Sequence, residues 1–408
     1  MDSGIKHVDF PPCALALTGG VAKGAFHAGV MKSFAEQGII PSVIVGASAG
    51  ALNGAFAARL IMEDRFSVEQ VEQVLCNMWL YQASIQKLWA AGEIQDNSLR
   101  SLLGDVRLSL FMLRKLLMFL TPANMSLVRE FLQLKFSSVL SDKHLKAQLE
   151  HTLQAPESIK RPIHFSAAVT SLTGAIETYA DQPLISYGGY LSFHFHPDQA
   201  PAEISREFQR LRKVVQASGS FPGVFPPVPL SVNGKTDFYT DGGLTKNAPF
   251  GRAIKLDPRV RVIFLVSSMP VTQPTSGRLD NMLTVVDQVY KIILNKDLAN
   301  DFRKIQQINQ KIKKLNEVLK KDAEGQILRD DPVNQALVEV AGFSSVQSFL
   351  NKREVQIIVI EPPVNLEGDP FAGLYRQDRI RLLKDYIALG YETATKVLKQ
   401  YTCSSTLT

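Results

Sequence analysis

Ser48 is the residue in this sequence best placed to do covalent chemistry. It stands in Gly46-Ala47-Ser48-Ala49-Gly50, directly after the apolar run Val43-Ile44-Val45 and before a small-residue run from Ala51 to Leu60. Strand, tight turn and helix in that order lift a serine hydroxyl out of the carboxyl end of a sheet. The flanking small residues let strand and helix approach closely, which is the geometry of a nucleophile elbow. A small-residue turn with no chemistry has the same composition, so the weight on Ser48 depends on what else the chain supplies. A serine hydroxyl needs a proton acceptor, and histidine is the usual one because its pKa lies near neutrality. The histidines are His7, His27, His144, His151, His164, His194 and His196. In α/β-hydrolases the histidine comes late in the chain, and none follows His196 here; His194 or His196 would serve only through an unusual topology. A carboxylate replaces histidine when partial desolvation raises its pKa. Asp241, in Phe238-Tyr239-Thr240-Asp241-Gly242-Gly243, has a fixed direction at the start of a glycine turn and room beside it. It is the best candidate base, with a plain turn as the simpler alternative.

A second feature with chemical meaning is Thr18-Gly19-Gly20-Val21-Ala22-Lys23-Gly24, which follows Leu15-Ala16-Leu17 and precedes a helical segment from Ala25 to Ala35. A glycine loop at a helix start presents several backbone N–H groups to negative charge. A dinucleotide fingerprint needs Gly-x-Gly-x-x-Gly, and a P-loop needs Lys and then Ser or Thr after its last glycine. The glycines here fall at 19, 20 and 24 and Gly24 is followed by Ala25-Phe26, so both nucleotide readings fail on spacing. An oxyanion hole, with the amides around Gly20 and Val21 aimed at a tetrahedral intermediate, is the functional reading that survives. An ordinary strand-to-helix turn stands beside it.

These residues need elements to hold them. Two successive strand-turn-helix units place the glycine loop and Ser48 at the same carboxyl edge of a parallel sheet, where ligands of open α/β sheets bind. From Ile61 to about Ile159 the chain reads as a mainly helical cap. Its Leu108–Leu120 segment is apolar nearly all round, as in a buried helix or a lid. Ile163 to Val169 reads as a strand, Thr170-Ser171-Leu172-Thr173-Gly174 as a turn, and Ala175 to Tyr179 as the hairpin return. A polar helix runs from about Ala202 to Ala217. The proline-punctuated loop from Ser218 to Pro227 reads as a connector that is also able to wall a pocket. Strands at Val260–Val266 and Val355–Ile360 bracket a second helical insertion, and a terminal helix runs from about Tyr375 to Gln400. Asp301 to Lys321 carries apolar residues at 302, 305, 308, 312, 315 and 319 opposite a basic face. That is a solvated surface helix, or one that docks on an anionic membrane. The expected division is a core over 1–275 with its cap at about 61–160, a helical insertion over 276–350, and a last strand and helix over 351–400.

Among the 408 residues, 45 Lys+Arg against 39 Asp+Glu give a formal charge of +6, a mild excess that suits anionic surfaces without demanding nucleic acid. No nucleic-acid partner is expected. Cys13, Cys76 and Cys403 lie far apart, which indicates neither a disulfide framework nor a zinc site and fits a reducing compartment. No metal or cofactor is implied. A signal peptide is not expected, and Leu108–Leu120 is too short and too charged, with Arg114 and Lys115 inside it, to span a bilayer.

Four pieces in order resemble the patatin-like phospholipases: Gly19-Gly20-x-x-Lys23-Gly24, Gly46-x-Ser48-x-Gly50, the loop ending Phe225-Pro226-Pro227, and Asp241-Gly242-Gly243 with Asn247-x-Pro249. Each is weak alone, and the ordered set is specific. The resemblance implies an α/β fold, a three-layer α/β/α sandwich with a mainly parallel central sheet and helical cap insertions. It also implies hydrolysis of fatty-acyl esters by a Ser-Asp dyad. Ser48 would be the nucleophile, Asp241 the base, and the amides of Gly19, Gly20 and Val21 the oxyanion hole. Val21 departs from the family's usual third glycine. The expected substrate is a phospholipid or lysophospholipid at a membrane surface, with an activating protein partner allowed for. The expected place is cytoplasmic and peripherally membrane-associated, or outside the cell by a non-classical export route. An acyltransferase using the same acyl-serine, and a non-catalytic membrane- or partner-binding protein, are the rival readings.

Overall fold

The computed structural model describes residues 10–84, 142–179, 182–222, 224–232, 234–272, 288, 292, 298–322, 324–368 and 371–405. Its centre is one eight-stranded sheet: β1 (Cys13–Leu17), β2 (Val43–Gly46), β3 (Ile163–Tyr179), β4 (Gln182–Phe195), β5 (Val228–Val232), β6 (Lys235–Asp241), β7 (Val262–Val266) and β8 (Gln356–Ile360). The order is β5-β6-β3-β2-β1-β7-β8, with β4 paired to β3. Strands β3, β2, β1, β7 and β8 are parallel, and β4, β5 and β6 add an antiparallel flank.

The parallel strands are apolar on both faces because helices cover both. Side chains alternate across a strand. Leu15, Leu17, Ile44, Phe165 and Phe264 therefore pack with helices α1 (Ala25–Glu36), α2 (Ala49–Met62), α3 (Pro201–Ser218) and the terminal helix. Ala14, Ala16, Val43, Val45, Ile263 and Leu265 meet Phe250, Ala253 and Leu298 on the opposite face. This is the α/β/α sandwich the motifs implied. Helix α4 (Leu298–Val318) and helix α5 (Pro332–Val340) share a small core of their own, in which Ile312, Leu315 and Leu319 bury against Val338, Val346 and Phe349. The apolar stripe of the basic helix is thereby largely used in packing: Phe302 and Ile305 lean on the sheet cluster. Terminal helix α6 (Arg379–Ser405) packs along α1.

One expectation is corrected. Thr170–Gly174 is no hairpin turn: β3 continues to Tyr179 and its partner returns as β4 from Gln182. Thr170 pairs with Gly188 and Ala175 with Ser186, so four residues on β3 bulge over one on β4. The turn-forming chemistry is real but local. The Ser171 hydroxyl accepts from the Gly174 amide at 2.7 Å and donates to Asp237 Oδ2 at 2.5 Å, and Gly174 takes φ +78°. Of the cap, the described parts are a helical run from Val68 to Gln82, in which Glu72–Cys76 and Met78–Gln82 are π-helical, and a helix at Lys143–Thr152. The expected Leu108–Leu120 helix lies outside the described residues. No described helix is long and apolar enough to cross a membrane.

Candidate active site

Strand β2 ends at Gly46 and α2 begins at Ala49, leaving Ser48 on the tip between them with φ 53° and ψ −125°. A non-glycine residue there costs of order 1–3 kcal/mol and is held only where the surroundings fix it. Two contacts do so. The Ser48 amide donates to Ser218 Oγ at 3.0 Å, and that hydroxyl donates in turn to the Ala168 carbonyl at 2.6 Å. The turn also requires its glycines. A Cβ on Gly50 would fall 2.4 Å from the Leu17 carbonyl oxygen, and one on Gly46 would fall 2.5 Å from that of Gly50.

Asp241 closes β6, which runs antiparallel to β3 with Asp241 opposite Val169. That register brings its carboxylate to the elbow, and Ser48 Oγ donates to Asp241 Oδ2 at 2.5 Å. The other carboxylate oxygen accepts from the Gly243 amide at 2.7 Å, while Gly242 lies against the Ala168 carbonyl with no room for a side chain. Asp241 is buried, and burial pushes its carboxyl up to about 6, with the bonds from Ser48 and Gly243 pulling the other way. Such a carboxylate is a stronger base than an exposed one and is still ionised at neutral pH. No histidine among the described residues bonds to Ser48. His164 and His194 face each other across β3 and β4. His27 is buried in α1 with neither ring nitrogen partnered, its imidazole pushed down to about 3 by burial.

The glycine loop lies beside the elbow, and its amides differ. Gly19 N–H donates to Asn247 Oδ1 at 2.8 Å, so it is taken and leaves the expected set of oxyanion donors. The amides of Gly20 and Val21 bond to no acceptor among the described residues, nor does that of Ala49, the first residue of α2. Val21 has φ 49°, an outlying conformation for a β-branched side chain and the physical reason a glycine would be expected there. Ser268 Oγ donates to the Gly19 carbonyl at 2.9 Å and would overlap any side chain on Gly20. Lys23 is buried in the short helical turn Val21–Gly24. Gly24 abuts Ala49 and Trp79, and the Asn53 amide group donates to the Gly24 and Ala49 carbonyls while accepting from Trp79 Nε1.

A mainly apolar cavity opens at Ser48. Its walls include Val21, Leu52, Phe56, Trp79, Phe221 and Phe371. Phe221 and Phe225 belong to the proline loop, so that segment does wall a pocket. Ser218, Ser268 and Asn53 carry no local sequence signal. Asn247 does, through its fixed spacing from Asp241, although its role in holding Gly19 depends on a contact 228 positions away.

A family model described as patatin-like phospholipase matches residues 15–254, which hold the glycine loop, Ser48 and Asp241. Among solved structures, VipD from Legionella pneumophila aligns over 96% of this chain and 67% of its own, at 14% identity and a TM-score of 0.33. No curated protein matches the chain.

Proposed function

The chain belongs to the patatin-like phospholipase family, generally lipid-hydrolysing esterases, and we propose that it hydrolyses fatty-acyl esters of phospholipids or lysophospholipids through Ser48 and Asp241. The observation that carries this reading is the 2.5 Å hydrogen bond from the strained Ser48 hydroxyl to the buried Asp241 carboxylate, at the mouth of an apolar cavity. Asp241 takes the hydroxyl proton as Oγ attacks the ester carbonyl carbon. The oxyanion accepts hydrogen bonds from the amides of Gly20, Val21 and Ala49, which are preorganised at the helix start. Collapse expels the alcohol, which leaves with the proton from Asp241; water deprotonated by Asp241 then attacks the acyl-enzyme, and the second collapse frees the fatty acid as Asp241 returns the proton to Ser48 Oγ. The cavity wall accommodates the acyl chain, since it offers carbon surface and few polar groups.

Hydrolysis of lysophospholipid, diacyl phospholipid and glyceride by wild type and Ser48→Ala tests this. The expected result is release of fatty acid from at least one of the three, reduced at least a thousandfold in the variant. Undiminished hydrolysis in Ser48→Ala would remove the mechanism.

A further inference from the structure

Strand β3 pairs with β2 only as far as Ala167 and with β6 only as far as Ser171. Beyond that point β3 and β4 continue as a ribbon paired only to each other, from Ala175–Ser186 to Tyr179–Gln182. Because β3 is parallel to β1 and β2, this ribbon leaves the sheet at the carboxyl edge, the edge that carries Ser48 and Asp241. Gly189 stands opposite Val169, which is itself opposite Asp241. Ile185 is four residues further out, about 13 Å at the rise of an extended strand.

The ribbon is apolar where water should favour polar residues. Leu172, Ile176, Leu184, Ile185, Tyr187 and the neighbouring Phe238 are each exposed over about half their surface or more, Ile176 at 77% and Ile185 at 62%. A large share of the described exposed apolar side chains thus gathers at one place on the surface. Ile176 and Ile185 are directly opposed across the strands and share their face with Tyr187. Alternation turns Leu184 and Phe238 to the other face. Two-stranded ribbons are marginal in water on their own, and a protein partner laid on one face would leave the other wet. Immersion in a lipid interface covers both. The open strand edges, whose amides and carbonyls have no partner in hydrocarbon, limit the depth to the headgroup boundary. Exposed Lys235, at the far end of β6, and Lys246, packed near Gly188, add positive charge beside the ribbon.

We propose that this β3–β4 ribbon is the element that docks the protein on a phospholipid surface, setting the catalytic edge against the bilayer. The choice of lipid as the occupant rests on the acyl-hydrolase reading; the ribbon's exposure and direction do not. Helix α4 is a weaker candidate because its apolar stripe is largely packed inside the protein.

The test is co-sedimentation with vesicles of phosphatidylcholine and phosphatidylglycerol in the Ser48→Ala background, so that binding is measured without turnover. The expected result is that Ile176→Asp with Ile185→Asp lowers vesicle partitioning at least tenfold. Separately, a tryptophan introduced by Ile185→Trp should shift to the blue on vesicles and be quenched by brominated lipid. Thermal unfolding of the double variant, and its hydrolysis of a short soluble ester with Ser48 restored, should match wild type. Equal partitioning of the double variant overturns the proposal, as does a tryptophan that brominated lipid leaves unquenched. Loss of self-association with vesicle binding retained also overturns it, since the ribbon would then face a second copy of this chain. Because binding is read without catalysis, failure of the hydrolase reading registers in a different experiment.

Discussion

The charge state of Asp241 is bought with stability. Its carboxyl is raised from an ordinary value near 4 to about 6, because burial disfavours the anion more than the bonds from Ser48 and Gly243 favour it. The native state therefore binds protons more tightly than the unfolded chain, and stability falls as pH rises between about 4 and about 6. Above that window the full penalty, about 2–3 kcal/mol, is present; below it both states are protonated and the penalty vanishes. Asp241→Asn removes the charge and keeps the shape. It is expected to raise the free energy of unfolding at pH 8 by about that amount, with the gain shrinking toward pH 4, as denaturant titrations at the two pH values would show. A variant no more stable at pH 8 than wild type would mean that the carboxylate is better solvated than its burial implies.

At the scale of elements, three loops converge because each is tied to another by a buried polar side chain. Asn247, in the loop after β6, holds the Gly19 amide at 2.8 Å, Ser218 at the end of α3 holds the Ser48 amide, and Asn53 in α2 joins Gly24 to Trp79. Removing one partner of a buried hydrogen bond costs about 1–3 kcal/mol. Asn247→Ala should therefore lose stability of that order. By freeing the loop that presents Gly20 and Val21, it should also lower kcat at least tenfold while KM changes little; steady-state kinetics with thermal unfolding measure both. An unchanged kcat would show that the loop holds its shape without Asn247. The sequence announces the elements themselves well. Fully apolar runs such as Val43–Val45 are what a strand buried on both faces requires, and the Ser48 turn is recognisable from its small residues. The ties are not announced, because they join positions up to 228 apart through single polar side chains. The bulge at Thr170–Gly174 is illegible for another reason: serine, threonine and glycine write the same local chemistry for a turn and for a bulge, and only the partner strand decides between them.

Across the whole molecule, the cavity is built from more than the segment that matches the family. Phe371 and Leu374 come from beyond residue 254, and they meet Trp79 and Gln82, which the cap contributes from within the matched segment. One residue joins these parts. Arg379, at the start of α6, donates to the carbonyls of Trp79, Leu80, Ala83 and Gly373. It clamps the end of the π-helical run to the chain's last helix, and burial lowers its pKa. Arg379→Met keeps much of the apolar stem but leaves those carbonyls without their donor. It should cost at least about 3 kcal/mol of stability and shift the preferred acyl length, while a short soluble ester, which needs little of the wall, is still turned over near the wild-type rate. A chain-length series would show this, and an unaltered preference would place acyl selection elsewhere. Sequence alone gives no sign of this clamp, since an arginine between Arg376 and Arg381 in the first turns of a helix reads as surface charge.

In the proposed mechanism Asp241 activates Ser48 without histidine. Its most direct test is the rate of fluorophosphonate labelling as a function of pH, with the modified residue located by mass spectrometry. The expected result is a single adduct on Ser48, a second-order rate that rises as pH passes through about 6 as Asp241 loses its proton, and a loss of at least a hundredfold in Asp241→Asn. An adduct on another residue, or labelling undiminished in Asp241→Asn, would contradict it.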